Sequence, residues 1–306
     1  MKAVVVSEHG AQVEITDVAK PEPAAGEVLV KVQASSINGF DLSVAGGHVV
    51  GMMEHRYPVV LGKDFAGTVE AVGEGVTRFA AGDTVFGVVT KAYLGDGGFG
   101  EYVTVPEAVG LARLPDGVDI NAAGALGLAG TAAVDALTAA APQSGETVLV
   151  SGATGGVGAI VVQYAVAAGA TVIATARPGA EEDFVRGLGA HQVVDHTGDV
   201  PAQVRAASPD GVDVIVHLAG DAAALVHLLT EKGRVASTMG FGVDQHPAAT
   251  FVYANPAEAT LDRLAGDLAA GRITVPVGKT YTLTEVPAAF GDFAGGTLGK
   301  IGITVS

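Results

Sequence analysis

The sequence predicts an α/β protein of two domains, a β-rich barrel or sandwich and a doubly wound parallel sheet. Three observations predict it. Residues 1 to about 115 carry short runs rich in Val, Thr and aromatics, punctuated by Gly, Asp and Pro, the pattern of closely spaced strands. From about 120 to 275, apolar runs recur roughly every 15 to 25 residues, with Ala-rich spacers of helical pattern between them. Strands alternating with helices make βαβ units and a parallel sheet. The closing stretch returns to the first style, so a C-terminal strand rejoins the first domain. The domains are therefore placed at 1–120 with 276–306, and at 121–275. A chain of 306 residues has a two-domain length on a prior of about 100–200 residues per domain.

In order, the first domain offers "KAVVV" (2–6), "EVLVKVQAS" (27–35), "GTVEAVG" (67–73), "DTVFGVV" (83–89) and "GEYVTVP" (100–106) as strands. Several strands at this spacing suggest a sandwich or barrel. The first run is short and is followed by Glu8 and His9, so it reads as a strand rather than a secretory leader. The second domain offers "TVLVS" (147–151), "TVIAT" (171–175), "HQVVD" (191–195), "DVIVHLA" (213–219) and "RVASTM" (234–239). Near-continuous apolar strands suit a sheet covered on both faces. In the tail, "TYTLTEV" (280–286) and "GKIGITV" (299–305) read as strands flanking a short helix, "EVPAAFGDF" (285–293).

Composition narrows the function. Hydrophobic residues make up 49% of the chain, yet no run of about 18 uncharged apolar residues reads as a spanning helix. A soluble, cytoplasmic protein without membrane contact is expected. There are no cysteines, hence no disulfide, thiolate metal site or Cys nucleophile. The formal net charge of −16 repels phosphate backbones and argues against nucleic-acid binding. The 8 histidines are scattered; the close pair His48 and His55 lies in a Gly-rich loop without metal-ligand spacing.

The strand at 147–151 runs into Ala153-Thr154-Gly155-Gly156-Val157-Gly158. This is the dinucleotide-binding turn with Ala in the first glycine's place. Gly155 lets backbone approach a pyrophosphate, Gly158 lets the helix sit close on its strand, and the helix N-terminus offers free N–H groups. Val157, Ile160, Val161, Tyr164, Ala165 and Ala168 give that helix an apolar stripe. An NAD site places an acid at the end of the second strand, on the ribose 2′-hydroxyl. Here that strand ends in "ATARPG" (174–179), with Thr175 and Arg177, while Glu181 and Glu182 come later in the next helix. A guanidinium without a carboxylate beside it favours the 2′-phosphate of NADPH; the alternative is a solvated surface arginine.

Four stretches together resemble a known family: "YPVVLGKDFAGTVEAVGEGVTRFAAGDTVFG" (57–87), "GGFGEYVTVP" (97–106), "SGATGGVGAIVVQYA" (151–165) and "GKIGITV" (299–305). They resemble the medium-chain dehydrogenase/reductase superfamily, and more closely its quinone oxidoreductase, zeta-crystallin-like branch. The resemblance spans nearly the whole chain. It implies a GroES-like β-barrel catalytic domain, a Rossmann domain, a nicotinamide cofactor between them, and a homodimer joined through the Rossmann sheets. Zinc-dependent members use Cys and His ligands, with a Gly-His-Glu stretch; here Gly62-Lys63-Asp64 stands there and cysteine is absent. A zinc-independent enzyme is expected.

The resemblance also implies site residues. Asn38 and Asp41, in "SSINGFD", match the segment that places an Asn near the nicotinamide, although the usual Asn-Pro is Asn38-Gly39. Thr131 matches a threonine that approaches the nicotinamide. His196 falls where relatives have a Tyr against the 2′-phosphate; a plain surface histidine is the alternative. Phe241 and Gly242, in "MGFG", would lie by the nicotinamide, or Phe241 is a core aromatic. The cofactor-binding set is thus Asn38, Thr131, Ala153, Gly155, Gly156, Val157, Gly158, Thr175, Arg177, His196, Ala219, Phe241 and Gly242.

Without a metal, hydrogen-bond donors must meet the charge that develops on the acceptor. Asn38, Tyr57 and Lys63 are the catalytic candidates, with Tyr253 as a further donor; Tyr57 and Lys63 read equally as barrel-surface residues. Met52 and Met53 are candidates for an adaptable wall in a mobile loop. The expected reaction is NADPH-dependent reduction of a quinone, with an activated alkene (an enone, 2-alkenal or enoyl group) as the alternative acceptor.

Overall fold

A computed structural model of the chain describes residues 1–305. They divide into two compact units: Met1–Thr131 together with the chain from Pro256 onward, and Ala132–Asn255.

The first unit is built on strand Glu27–Ser36. Asp64–Val72, Tyr102–Pro106 and Lys300–Thr304 all pair with it antiparallel. Flanked so fully, it is buried along most of its length. Thr84–Val88 and Leu111–Arg113 extend the sheet on one side, and Val277–Thr282 closes the other. A smaller sheet holds Lys2–Val6 between Val13–Asp17 and Val59–Val60. Phe65, Phe99 and Leu111 fill the core with no exposed surface. The last two strands run parallel, joined through helix Val286–Ala294. The tail thus completes the first unit's sheet and brings Lys300 beside the end of strand Glu27–Ser36.

The second unit is one parallel sheet in the order Gln192–Val194, Thr171–Thr175, Thr147–Ser151, Val212–His217, Leu229–Ser237, Ala249–Phe251. The chain winds outward from Thr147–Ser151 in one direction, then returns to wind out in the other. That reversal is the switch point at which doubly wound sheets bind ligands, beyond the carboxyl ends of the strands. Leu149, Ile173 and Ile215 are fully buried in it.

Two details depart from the sequence reading. The spacer after Val212–His217 is not a regular helix but two 3-10 turns, Ala222–Ala224 and Val226–Leu228, and the next strand begins early, at Leu229. Its polar "TEKG" stretch bulges out between the Val212–Leu229 and Val214–Arg234 pairs, which alternation alone does not reveal. The unit boundaries, after residues 131 and 255, also lie inside the span 121–275. The reason is packing. Leu128 N–H donates to Asp64, and helix Glu258–Ala269 buries Leu261, Leu264 and Ala265 with the first unit. Among the described residues, no helix is long and apolar enough to cross a membrane.

Candidate functional site

In the first unit, polar side chains converge where three strands meet. Asp64 opens strand Asp64–Val72 and is completely buried. Its Oδ2 accepts from Ser36 Oγ at 2.6 Å, Asn38 Nδ2 at 2.8 Å and Lys300 Nζ at 3.3 Å. Its Oδ1 accepts from Leu128 N–H at 2.7 Å. Gly127 makes the last contact possible: a Cβ there would stand 2.5 Å from Gly87 O and 2.9 Å from Asp64 Oδ1. Lys300, itself 5% exposed, also donates to Asn38 Oδ1 at 2.6 Å and Ile37 O at 3.1 Å. A buried ion pair survives only when its remaining donors and acceptors are satisfied, and here they are. The outcome for Asn38 is that both ends of its amide are fixed.

Asp41 and Lys63 border this cluster. Asp41 Oδ2 accepts from Asn38 N–H at 2.8 Å. Burial pushes the Asp41 carboxyl up to about 7; Asp64 adds to the rise, while the Asn38 N–H, Lys300 and Lys63 oppose it. Lys63 donates to Val89 O at 2.6 Å and lies 5.1 Å from the Phe40 ring centre. Burial pulls its ammonium below the usual lysine range, against the pull of Asp41 and Asp64. Asn38 and Lys63 are therefore brought to one polar region, each interacting with Asp41. Tyr57 is not part of it. It is 40% exposed, stacks on His55 with ring centres 5.7 Å apart, and lines a separate hollow with His9, Ala45 and Gly47. Met52 stands out at 77% exposed. Thr131 is fully buried and donates its hydroxyl to Gly127 O at 2.7 Å.

In the second unit, the glycine turn sits where the strand–turn–helix pattern puts it. Gly155 caps helix Gly156–Ala167 with no side-chain hydrogen bond, so the first N–H groups, at Gly156, Val157 and Gly158, have no intrahelical acceptor. A Cβ on Gly155 would meet only Gly152 O, at 3.6 Å, so the space over it is open. A Cβ on Gly158 would lie 2.2 Å from Gly152 O and 2.6 Å from Ala153 Cα; the helix rests directly on the turn, above the buried Ala153. Thr175 is buried, and its hydroxyl accepts from Gly152 N–H at 2.9 Å, tying the second strand to the turn. An open, uncapped helix N-terminus beside backbone is what a pyrophosphate requires. These residues fit a dinucleotide, and they would hold its phosphates.

Arg177 and His196 come together as expected, but the expected absence of an acid beside them is corrected. Glu181 folds back from the first turn of helix Ala180–Gly187. Its carboxylate accepts from Arg177 N–H at 2.7 Å, Nε at 2.7 Å and Nη2 at 2.5 Å, and meets His196 Nε2 at 3.1 Å. Burial raises the Glu181 pKa, but the hydrogen bonds from Arg177 and His196 and the charge of Arg177 outweigh it, and the net shift is downward. The helix's first turn lets a residue four positions on reach the strand end.

At the carboxyl ends of the next strands, His217 is 3% exposed. Its Nε2 donates to Gly220 O at 3.1 Å, so its Nδ1 accepts from Ser237 Oγ at 2.9 Å. Ser237 Oγ in turn accepts from Met239 N–H at 3.0 Å. This chain holds the start of the "MGFG" loop. Phe241 meets His217 edge-on at 6.4 Å, and Gly242 N–H donates to Gln245 Oε1 at 2.8 Å. Ala219 is exposed, and its carbonyl accepts from Ser151 Oγ. Tyr253 is 77% exposed against Phe251.

Comparison with known proteins places this geometry. Residues 24–116 match the family "Alcohol dehydrogenase GroES-like domain", and residues 156–262 match "Zinc-binding dehydrogenase". The chain is 35% identical over 247 residues to a quinone oxidoreductase of Lama guanicoe, covering 77% of this chain and 72% of that protein. It superposes on the quinone oxidoreductase of Coxiella burnetii with a TM-score of 0.90 and 25% identity, over 100% of this chain and 99% of that one. It superposes on an NAD-dependent alcohol dehydrogenase with a TM-score of 0.89 and 26% identity, over 100% of both chains. The name of the second family implies zinc, but the donor set does not fit it. Lys63 offers an ammonium, both oxygens of Asp64 already accept hydrogen bonds, and there is no cysteine. The chain belongs to the medium-chain dehydrogenase/reductase superfamily, in its quinone oxidoreductase branch, and is an oxidoreductase working with a nicotinamide cofactor.

Proposed function

We propose that the protein is an NADPH-dependent, zinc-independent reductase that passes hydride to quinones. The observation that carries the reading is the donor set around Asn38: an amide clamped by Lys300 and Asp64, with the Lys63 ammonium beside Asp41. By the resemblance drawn from the sequence, Lys63 takes the place of the histidine in the Gly-His-Glu stretch of zinc-dependent members. Likeness to quinone oxidoreductases supports the acceptor. Arg177 and His196, both solvent-exposed at the end of the second strand, support the 2′-phosphate as donors that it would take over from Glu181.

When bound, the dihydronicotinamide supplies the hydride. A quinone that takes it becomes a hydroquinone anion, and one proton completes the product. Lys63 would stabilise the developing oxyanion, as preorganised donors do, and Asn38, its amide already held by Asp64, Ser36 and Lys300, would keep the polar cluster beside it in place. Lys63, with its ammonium pulled down by burial, also suits release of a proton. That same property supports an activated alkene as a second acceptor class, because an enolate needs a proton on carbon. A homodimer joined along the edge strand Ala249–Phe251 is part of the proposal, supported by exposed Met239, Val243 and Tyr253 near that edge.

The test is a turnover panel of quinones, enones, 2-alkenals and enoyl thioesters with NADPH and NADH, with and without a chelator. Quinones with NADPH are expected to react fastest and chelator to change nothing. Activity lost to chelator, or a wide preference for NADH, overturns the reading.

A further inference from the structure

Resting on that reading, and confined to the second unit, we propose that Glu181 is a built-in competitor of the cofactor's 2′-phosphate and sets how strongly the protein distinguishes NADPH from NADH. The donors suited to that phosphate are already engaged. Arg177 gives Glu181 its backbone N–H and both Nε and Nη2, and His196 Nε2 adds a fourth contact. The carboxylate is 14% exposed, whereas the Arg177 and His196 side chains are 58% and 44% exposed. The carboxylate is thus the sheltered member, and the arginine and histidine side chains are open to solvent.

Nearby Asp195 does not take the same role. Its Oδ1 is held by Thr197 N–H at 2.9 Å and Thr197 Oγ1 at 2.7 Å, though its charge is also felt by Arg177. A phosphate monoester brings about −1.5 to −2 charge at pH 7. To use Arg177 and His196 it must displace one carboxylate and tolerate another. A ribose 2′-hydroxyl faces no such conflict, since it can donate to Glu181 and leave the pair intact. The same carboxylate therefore penalises the phosphorylated cofactor and spares the other. The Arg177–Glu181 pair also orders the guanidinium in advance, so the cost lies in charge rather than in disorder.

The experiment is titration calorimetry with 2′,5′-ADP, which carries the 2′-phosphate, and 5′-AMP, which lacks it. Wild type is compared with Glu181→Gln, and each fold is checked by thermal melting. Glutamine keeps an acceptor for Arg177 N–H and removes the charge. Glu181→Gln is expected to bind 2′,5′-ADP about ten-fold more tightly, the scale of one partly screened charge repulsion, with 5′-AMP within about two-fold. Glu181→Ala, which removes reach as well as charge, should move 2′,5′-ADP in the same direction. An unchanged ratio of the two ligands in both variants, with 5′-AMP bound, overturns the role of Glu181 and leaves the nucleotide site standing. If neither fragment binds wild type or variant, the nucleotide reading itself falls and takes this inference with it.

Discussion

Lys300 Nζ lies 2.6 Å from Asn38 Oδ1, joining the last strand of the chain to the residue that follows strand Glu27–Ser36. Lys300 is also, among the described residues, the one ammonium donating to buried Asp64. Replacing it by Met leaves that carboxylate facing only neutral donors. Lys300→Met is expected to cost about 3–5 kcal/mol of stability, the usual cost of orphaning one member of a buried pair. Adding Asp64→Asn should recover part of the loss, because contacting sites do not add. Urea unfolding of wild type, both single variants and the double variant measures this; strictly additive losses would contradict the pairing.

Asp41 predicts an unusual pH response. Its carboxyl titrates at about 7 in the fold, raised chiefly by burial, against an ordinary 3.8. A carboxyl with a raised pKa binds more protons folded than unfolded between those values. It therefore favours the fold at low pH and lowers stability as pH climbs from about 4 to about 7. The difference amounts to about 4 kcal/mol at most. Asp41→Asn keeps an acceptor for Asn38 N–H and removes the titration. Relative to wild type, it should be neutral near pH 4 and more stable at pH 8. Urea midpoints across that range decide; a constant gap between the two proteins counts against a raised Asp41.

Lys63 separates the two acceptor classes. A hydroquinone anion takes its proton from water, whereas an enolate needs a placed donor. Lys63→Met should therefore lower kcat on an enone by about 100-fold, a typical general-acid contribution, and on a quinone by less than about ten-fold. Equal losses on both acceptors would show that Lys63 serves charge stabilisation alone. The lost hydrogen bond to Val89 O costs both reactions alike, so the ratio is the informative quantity.

Legibility in the sequence followed how local each signal was. The turn from Ala153 to Gly158 was readable because strand, glycines and helix lie within one short stretch. The polar cluster was not. Lys300 reads as an ordinary charge at the start of a strand, and its partners Asp64 and Asn38 lie 236 and 262 positions away. Only the sheet, by pairing Gly302 with Ser36, brings them together. Ser36, His217 and Ser237 gave no periodic signal either, since a single buried polar residue in an apolar strand has none. Glu181 was within reach of sequence reasoning: it stands four residues after Arg177, at helical pairing distance. Judging acids only at the strand end missed it.

The glycine turn separates a residue needed for packing from one needed for a ligand. At Gly158 an added Cβ would stand 2.2 Å from Gly152 O and 2.6 Å from Ala153 Cα, both backbone. Neither can yield without moving helix Gly156–Ala167 off its strand, so Gly158→Ala should cost about 1–3 kcal/mol, as overpacking does. At Gly155 the φ of −75° suits any residue, and the added Cβ meets nothing closer than 3.6 Å. Gly155→Ala should cost about 1 kcal/mol or less, the difference between Gly and Ala at a helix N-cap. Its methyl group, however, enters the space over the free N–H groups of the helix. ADP-ribose, which carries the pyrophosphate, should bind Gly155→Ala about ten-fold more weakly or worse, a 1.4 kcal/mol loss. Thermal melts and calorimetry on the two variants test the division together: Gly155→Ala folds and loses affinity, while Gly158→Ala loses stability first. A Gly155→Ala protein that binds ADP-ribose as wild type does would mean that the pyrophosphate lies elsewhere, and that the open helix end has no ligand to hold.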